Sequence, residues 1–120
     1  MSITRQLGAI AAALWGALIV VDGDTVKQDG VTYRLLNFDT PETFYARCDQ
    51  ELQLGNRAAA RLRELVTSDE TRLEPNGKKC AWGRECARLI VNGEDVGDVL
   101  IREGLAVPWR RGDAKHDWCR

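Results

Sequence analysis

Apolar residues are arranged in two different ways along this chain of 120 residues. In the first third they form short runs, at Ala17–Val21 and then at Thr25–Gln28 and Val31–Leu36 on either side of Asp29-Gly30. An Asp-Gly pair between two such runs is typical of a tight β-hairpin turn. Pro41 ends this region, because proline has no N–H to donate to a strand ladder. We therefore predict three strands before residue 41.

The second arrangement, a helical periodicity, begins near residue 48. Small or apolar residues recur there at spacings of three and four, at Leu52, Gly55, Ala59, Leu62 and Val66. This spacing predicts an amphipathic helix from about Cys48 to Val66. Glycine lowers the stability of a helix interior, so we expect Gly55 to serve close packing on the sheet.

The second half of the chain returns to strands. We predict them at Asp69–Leu73 and Ala87–Val91, joined by a polar loop with the sequence NGKKCAWGREC. Asn92-Gly93 is another tight turn, and it leads into a short helix over Val96–Glu103. The complete order is three strands, a helix, two strands and a short helix. Short antiparallel strands around one helix predict a mainly β protein with α, a five-stranded OB-type β-barrel with two to three helices.

Length and charge narrow the functional classes. A chain of 120 residues can form one core, so we predict a single domain over 17–120. The net charge of −1 and the pI of about 5.8 argue against a protein that coats nucleic acid through a broad basic surface. They are compatible with an enzyme that grips one phosphate locally.

The N-terminal segment 1–16 is apolar and permits two interpretations. The uncharged run Leu7–Val21 is 15 residues long, which is short for a membrane span. It can contain a compressed secretory signal with Ala11-Ala12-Ala13 as the cleavage site, or act as a membrane tether. The alternative is a helical turn that leads into the first strand. We predict a secreted or periplasmic protein of a bacterium, mainly because the cysteines agree with export.

Four cysteines in so small a chain fit two disulfides in an oxidising compartment. Four reduced thiols are the alternative. Zinc is disfavoured, since no CxxC pair exists and the only histidine, His116, lies in the tail. Three pairings are open, and we favour Cys48 with Cys119, which would hold the tail, and Cys80 with Cys86, which would close a small loop.

Candidate chemistry lies in the first hairpin and just after it. Three carboxylates, Asp24, Asp39 and Glu42, and one guanidinium, Arg34, occur within 19 residues. Two of the carboxylates stand at the ends of apolar strands, where chain reversal can bring them together. Hard oxygen ligands grouped in this way suit Ca²⁺ or Mg²⁺, and an arginine beside them suits a phosphate. The group therefore predicts phosphodiester chemistry, whereas each residue alone would be a strand-end cap or a surface charge.

Several segments resemble one known family when they are taken together. They are DGDTV at 22–26, YRLL at 33–36, DTPE at 39–42, the GR dipeptide at 83–84 and GxxLIREGLA at 97–106. Their order and spacing resemble the staphylococcal nuclease (thermonuclease-like) family, over roughly Ile19 to Pro108. The resemblance implies a five-stranded OB barrel and a Ca²⁺-dependent phosphodiesterase that acts on DNA, RNA or both.

The resemblance also assigns roles. Asp24 and Asp39 would be the carboxylate ligands of Ca²⁺, and Thr40 would add its backbone carbonyl. Glu42 would orient or deprotonate the attacking water. The guanidiniums of Arg34 and Arg84 would hold the phosphate and neutralise the charge that develops on it, and in that family the 5′ P–O bond is cleaved.

Four further residues, Asp22, Cys80, Trp82 and Trp109, have expectations of their own. Asp22 is expected to be a turn residue. Trp82 would either stack on a base or pack over the barrel rim, and Trp109 with the following arginines would either extend the substrate groove or belong to a solvated tail. Cys80 stands where the family often has an acidic residue, so a disulfide to Cys86 would have to brace the loop that carries Arg84.

The leading hypothesis is a monomeric nuclease with a nucleic acid substrate and no stable protein partner. The rival is a catalytically silent OB module that binds single-stranded nucleic acid or a protein. The survival of Asp24, Arg34, Asp39, Glu42 and Arg84 favours the enzyme. A disulfide-stapled structural protein would leave this grouping unexplained. DNA and RNA, and endo- and exonucleolytic action, are all compatible with the sequence.

Overall fold

The computed structural model describes residues 16–120 of the chain. The segment predicted over 1–16 therefore lies, apart from Gly16, outside the described residues. The elements in chain order are β1 (Ile19–Asp22), β2 (Thr25–Gln28), β3 (Val31–Leu35), β4 (Phe38–Asp39), α1 (Asp49–Leu65), β5 (Thr71–Lys79), a 3-10 turn (Ala81–Gly83), β6 (Glu85–Val91), β7 (Glu94–Asp95), α2 (Val96–Arg102) and β8 (Val107–Pro108).

Five strands form the main sheet in the order β1-β2-β3-β6-β5, and β7 adds to β6. The pairs are antiparallel except for β3 with β6, which run parallel. The two-residue strands β4 and β8 pair separately, with Asp39 opposite Val107. Within residues 16–120, the mainly β arrangement with two α-helices confirms the predicted class. The short strands β4, β7 and β8 were not predicted, because two-residue strands have no periodicity of their own.

The prediction of a polar loop over residues 76–86 needs correction, because both ends of this segment belong to strands. Strand β5 continues to Lys79 and β6 starts at Glu85, so that only Cys80–Arg84 connects them. The ladder resumes with Lys79 opposite Glu85 after an irregularity that follows Pro75. Strand β5 lies at the edge of the sheet, where polar side chains and a proline are tolerated. Polarity therefore misled the prediction.

Helix α1 packs its small residues inward and begins where it was predicted to begin. The Cys48 side chain accepts a hydrogen bond from the backbone N–H of Glu51 at the helix start. Ala58, Ala59 and Leu62 are buried in the core between the helix and the sheet. The expectation for Gly55 was wrong in its partner. A Cβ atom there would lie 2.9 Å from the carbonyl oxygen of Pro41 and 2.7 Å from that of Glu42. Gly55 thus lets α1 approach the DTPE segment and not the sheet.

The four cysteines lie in two pairs at disulfide-bonding distance. They are Cys48 with Cys119, 71 positions apart, and Cys80 with Cys86, six positions apart. These are the pairs favoured from the sequence. The first joins the start of α1 to the C-terminal tail, and the second closes the connection between β5 and β6. No helix of residues 16–120 has the length and apolarity needed to cross a membrane.

Candidate active site

One cleft of about 780 Å³ brings together the carboxylates and guanidiniums that the sequence singled out. Its lining includes Asp24, Arg34, Asp39, Glu42 and Arg84. They come from the β1–β2 turn, strand β3, strand β4, the segment after β4 and the β5–β6 connection. Residues up to 60 positions apart in the chain thus face one space.

The β1–β2 turn brings two acidic segments into contact. A Cβ on Gly23 would lie 2.7 Å from Cγ2 of Thr40, so only glycine permits this approach. The Asp24 carboxylate consequently accepts a hydrogen bond from the backbone N–H of Thr40 at 3.2 Å. Asp24 also accepts from the hydroxyl of Thr25 at 3.1 Å. The two predicted ligand segments are therefore held together by direct bonds.

Arg34 is buried between the carboxylates. Its Nη2 lies 3.4 Å from Asp24 Oδ2 and 3.4 Å from Asp39 Oδ1. Its Nη1 donates to the carbonyl oxygen of Phe38 at 3.1 Å and to that of Leu35. These contacts fix the guanidinium plane at the wall of the cleft. The positive charge of Arg34 is thus already paired with the carboxylates of Asp24 and Asp39.

Burial and mutual repulsion perturb the carboxylates in different directions. Burial opposes ionisation of Asp24, but Arg34 and hydrogen bonds to Asp22, Thr40 and Thr25 outweigh it and hold the pKa of Asp24 below its usual value. Burial, followed by the charge of Asp24, raises the pKa of Asp39 despite Lys115 and Arg34. The same two causes raise the pKa of Asp22 to about 7. Asp22 ends β1, and its carboxylate accepts from the N–H of Asp24 at 3.2 Å, as a turn residue would.

Arg84 is placed by the small loop that Cys80 and Cys86 close. Its Nε donates to the carbonyl oxygen of Ala81 at 2.8 Å, and its Nη1 contacts the Thr25 hydroxyl at 3.3 Å. Burial and then the nearby charge of Arg34 lower the pKa of Arg84. Two guanidiniums that repel each other across a cleft favour an anion between them.

The donor set fits a hard divalent cation. Among residues 16–120, no three side chains of His, Cys, Asp or Glu form a ready metal cluster. The expected set contains only two carboxylates, Asp24 and Asp39, together with the carbonyl of Thr40. Both carboxylates are buried, and burial followed by the charge of Asp24 raises the pKa of Asp39, so a further cation beside this pair would be favourable. Oxygen donors with excess negative charge suit Ca²⁺.

Trp82 and Trp109, the tryptophans singled out from the sequence, differ in their surroundings. Trp82 has a positive φ of 65° and is 92% exposed, so the structure rejects packing over the barrel rim. The ring of Trp109 faces Arg34 at 5.5 Å and Lys115 at 5.7 Å. A second cleft of about 450 Å³ is lined by Trp109 with Arg34, Arg84 and four further basic residues, Lys78, Lys79, Arg110 and Arg111. The arginines after Trp109 thus face a groove that adjoins the first cleft.

Comparison with known families agrees with this geometry. The model of the family described as staphylococcal nuclease homologue matches residues 32–117. The chain belongs to the staphylococcal nuclease homologue family. The matched range contains Arg34, Asp39, Glu42 and Arg84, whereas Asp24 lies just upstream of it. The OB-type fold expected from the resemblance is the fold of this family.

Three known proteins are similar to this chain. The chain is 40% identical over 96 residues to the SPbeta prophage-derived endonuclease YokF and 38% identical over 95 residues to endonuclease YncB, both of Bacillus subtilis. It is 31% identical over 123 residues to the succinoglycan biosynthesis protein ExoI of Rhizobium meliloti. These alignments cover 72%, 72% and 87% of this chain but only 31%, 43% and 63% of the relatives. The chain therefore spans a part of each relative.

Two charged residues of this staphylococcal nuclease homologue were not identified from the sequence. Lys115 Nζ lies 3.1 Å from Asp39 Oδ1 and 3.6 Å from Glu42 Oε1. Glu51, buried in α1, accepts hydrogen bonds from the backbone N–H of Glu42 at 3.2 Å and of Arg47 at 2.9 Å. The available signal for Lys115 was its place four residues before Cys119, whose partner Cys48 lies near the site. No comparable signal distinguished Glu51 from the other charges of the helix.

Proposed function

We propose that this protein is a Ca²⁺-dependent nuclease that hydrolyses phosphodiester bonds of DNA, RNA or both. The observation that carries the proposal is the convergence of two buried carboxylates, two guanidiniums and Glu42 on one cleft. The endonuclease names of two relatives and the family membership support it. A phosphodiester is an anion attacked by a weak nucleophile, so catalysis needs charge neutralisation and a positioned water.

Asp24, Asp39 and the carbonyl of Thr40 would hold the cation. When bound, Ca²⁺ would supply Lewis-acid polarisation of the phosphate and compensation of its charge. Asp24 is suited to this role because its lowered pKa keeps it ionised. A bound cation would also take over the neutralisation of Asp24 and Asp39, which would leave the N–H groups of Arg34 available to a phosphate.

Glu42 would act as the general base. Its side chain is 38% exposed in the cleft, so water can reach it. The Glu51 carboxylate accepts a hydrogen bond from the backbone N–H of Glu42, and Gly55 packs closely against the carbonyl oxygen of Glu42. Both contacts hold the backbone of Glu42 in place. A carboxylate held at the edge of the cleft can orient a water and accept its proton.

Arg34 and Arg84 would bind the non-bridging phosphate oxygens. A guanidinium can bond two oxygens at once, so the pair would stabilise the charge that builds up as phosphorus becomes five-coordinate. The basic groove with Trp109, Arg110 and Arg111 would carry neighbouring phosphates of the strand. Trp82, exposed beside Arg84, would contact a base of the same strand.

Export and a monomeric state belong to the same proposal. The two cysteine pairs would be disulfides of a secreted or periplasmic protein, since such bonds persist in oxidising compartments. One chain supplies all five residues of the proposed site, Asp24, Arg34, Asp39, Glu42 and Arg84, so a monomer would be sufficient for activity.

Cleavage assays with Ca²⁺ and with EGTA test the function on single-stranded DNA, duplex DNA and RNA. We expect Ca²⁺-dependent cleavage that falls by about 10²–10⁴-fold in Glu42→Gln. Arg84→Ala and Arg34→Ala should each lower turnover by about 10²-fold or more, since one charge donor is lost from the transition state. Arg72→Ala is the matched control, because Arg72 is exposed on β5 and pairs with Glu74 outside the cleft. Near-normal rates in both arginine variants, Arg34→Ala and Arg84→Ala, would contradict the mechanism.

The rival function is a silent binding module. It would be favoured if folded, oxidised protein bound nucleic acid with Ca²⁺ present but cleaved none of the three substrates. The intact carboxylate and arginine set argues against this outcome, since binding alone does not require Glu42 at the cleft edge.

A further inference from the structure

Two large aromatic side chains stand unprotected beside the catalytic cleft. Phe44 is 77% exposed and Tyr45 is 83% exposed, and both line the cleft that contains Glu42 and Arg84. Burying an aromatic ring is favourable, so adjacent exposed rings at a concave site mark a binding surface. The cation, the base and the arginines proposed above make no use of either ring.

The loop that carries these rings is held at both ends. The buried carboxylate of Glu51 accepts from the N–H groups of Glu42 and Arg47, on either side of the aromatic pair. Gly55 of α1 packs against the carbonyl oxygens just before the loop, and Cys48 just after it is paired with Cys119. The rings are therefore presented by fixed backbone at their base and do not depend on a partner to order it.

The neighbouring charges indicate what the rings contact. Arg84 lines the same cleft, and Arg34 with the basic groove continues the positive surface. A ligand that places an anionic backbone on arginines and flat apolar groups on aromatic rings is a nucleic acid strand with unpaired bases. In a duplex the base faces are stacked on each other and inaccessible.

We propose that Phe44 and Tyr45 form a stacking platform for unpaired bases next to the scissile phosphate, which makes this site selective for single-stranded nucleic acid. The proposal rests on the proposed function for the position of the phosphate. It adds the substrate form and two residues that determine it.

Equilibrium binding in EGTA tests the platform without cleavage. The probes are a fluorescent thymidine oligonucleotide and an abasic oligonucleotide of the same length and phosphate count, at one salt concentration. Wild type should bind the base-containing strand more tightly, and Phe44→Ala and Tyr45→Ala should each weaken that binding by roughly tenfold. Binding of the abasic strand should stay unchanged in both variants.

Matched variants separate stacking from general effects. Leu52→Ala removes an exposed apolar side chain of α1 outside the cleft and should change neither affinity. Arg111→Ala removes a groove charge and should weaken both strands equally. Because both rings are exposed, Phe44→Ala and Tyr45→Ala should keep the wild-type melting temperature. Equal losses on both strands, or no loss in either ring variant, would overturn the platform.

Cleavage then distinguishes this proposal from the function on which it rests. Wild type should prefer single-stranded over duplex DNA. The double variant Phe44→Ala/Tyr45→Ala should lose that preference through a raised KM for the single strand, with kcat retained. Cleavage by wild type with no change in the double variant would refute the platform and leave the nuclease standing. Base-dependent binding without any cleavage would refute the nuclease and leave the platform standing.

Discussion

At the scale of single residues, Lys115 changes how the cleft should behave. Its ammonium contacts Asp39, an expected cation ligand, and Glu42, the expected base. A positive charge at these distances stabilises the carboxylates in the absence of a metal and repels a divalent cation that approaches them. Lys115 therefore supplies part of the charge compensation that the buried carboxylates require.

Replacing Lys115 by Met should tighten Ca²⁺ binding, on the order of tenfold, because a competing charge is removed. The measurement is calorimetric titration of metal-free protein with Ca²⁺, without substrate. The same variant should raise the pKa of Asp39 further, since Lys115 lowers it in the wild type. Arg120→Met is the control, because Arg120 pairs with Asp117 at the exposed end of the tail. Weaker Ca²⁺ binding in Lys115→Met would show that the lysine orders the site instead of competing within it.

At the scale of elements, helix α1 supports the segment that carries Glu42, the proposed base. Gly55 brings the helix against the carbonyls of Pro41 and Glu42, and Glu51 bonds the N–H of Glu42 from one turn earlier. The helix thus lies behind Glu42, the proposed base, while β3 and β4 carry Arg34 and Asp39. Packing of the helix and geometry of the site are consequently linked.

The variant Gly55→Ala tests this link, because two effects oppose each other. Alanine would favour the helix by roughly 1 kcal/mol, but its Cβ would clash with backbone oxygens that cannot move independently. We expect a net loss of about 1–3 kcal/mol in unfolding free energy, together with a lower kcat. Urea denaturation and steady-state kinetics measure both. Asn56→Ala, on the exposed face of the same helix, should stabilise slightly and leave kcat unchanged; a stabilised Gly55→Ala would contradict the close packing.

At the scale of the whole molecule, each cysteine pair holds a segment that contributes a charged residue to the cleft. Cys48 with Cys119 holds the tail that carries Lys115, and Cys80 with Cys86 closes the loop that carries Arg84. The first pair closes a far longer loop of chain, so it constrains the unfolded state more strongly.

Removing the pairs should therefore have unequal effects. The double variant Cys48→Ala/Cys119→Ala should lose about 4 kcal/mol of stability, and Cys80→Ala/Cys86→Ala about 2 kcal/mol. The second variant should lose more activity relative to its stability, because Arg84 is released. Chemical denaturation and kinetics of both variants provide the comparison. Titration of the unfolded, unreduced wild type should find no free thiol, and four free thiols would refute both disulfides.

Much of the fold was predictable because local patterns encode it. The Asp29-Gly30 turn, the strand pairing around it and the start of α1 follow from spacing and turn chemistry within a few residues. The polar loop predicted over residues 76–86 was wrong at its two ends, because the strand pairing there depends on an edge position that no local pattern reveals. Gly55 was recognised as a packing residue, but its partner lay in a loop and not in the sheet.

For the candidate site, the sequence alone determined the chemical inventory: the carboxylates, the arginines and the cysteines that could pair. Only the tertiary structure decided which other side chains lie beside them. It placed Lys115 beside Asp39 and Glu42, Glu51 behind Glu42, and Phe44 and Tyr45 in solvent beside the cleft. The physical reason is that residue types and turns are local properties, whereas burial, charge compensation and shared clefts arise when segments distant in the chain come together.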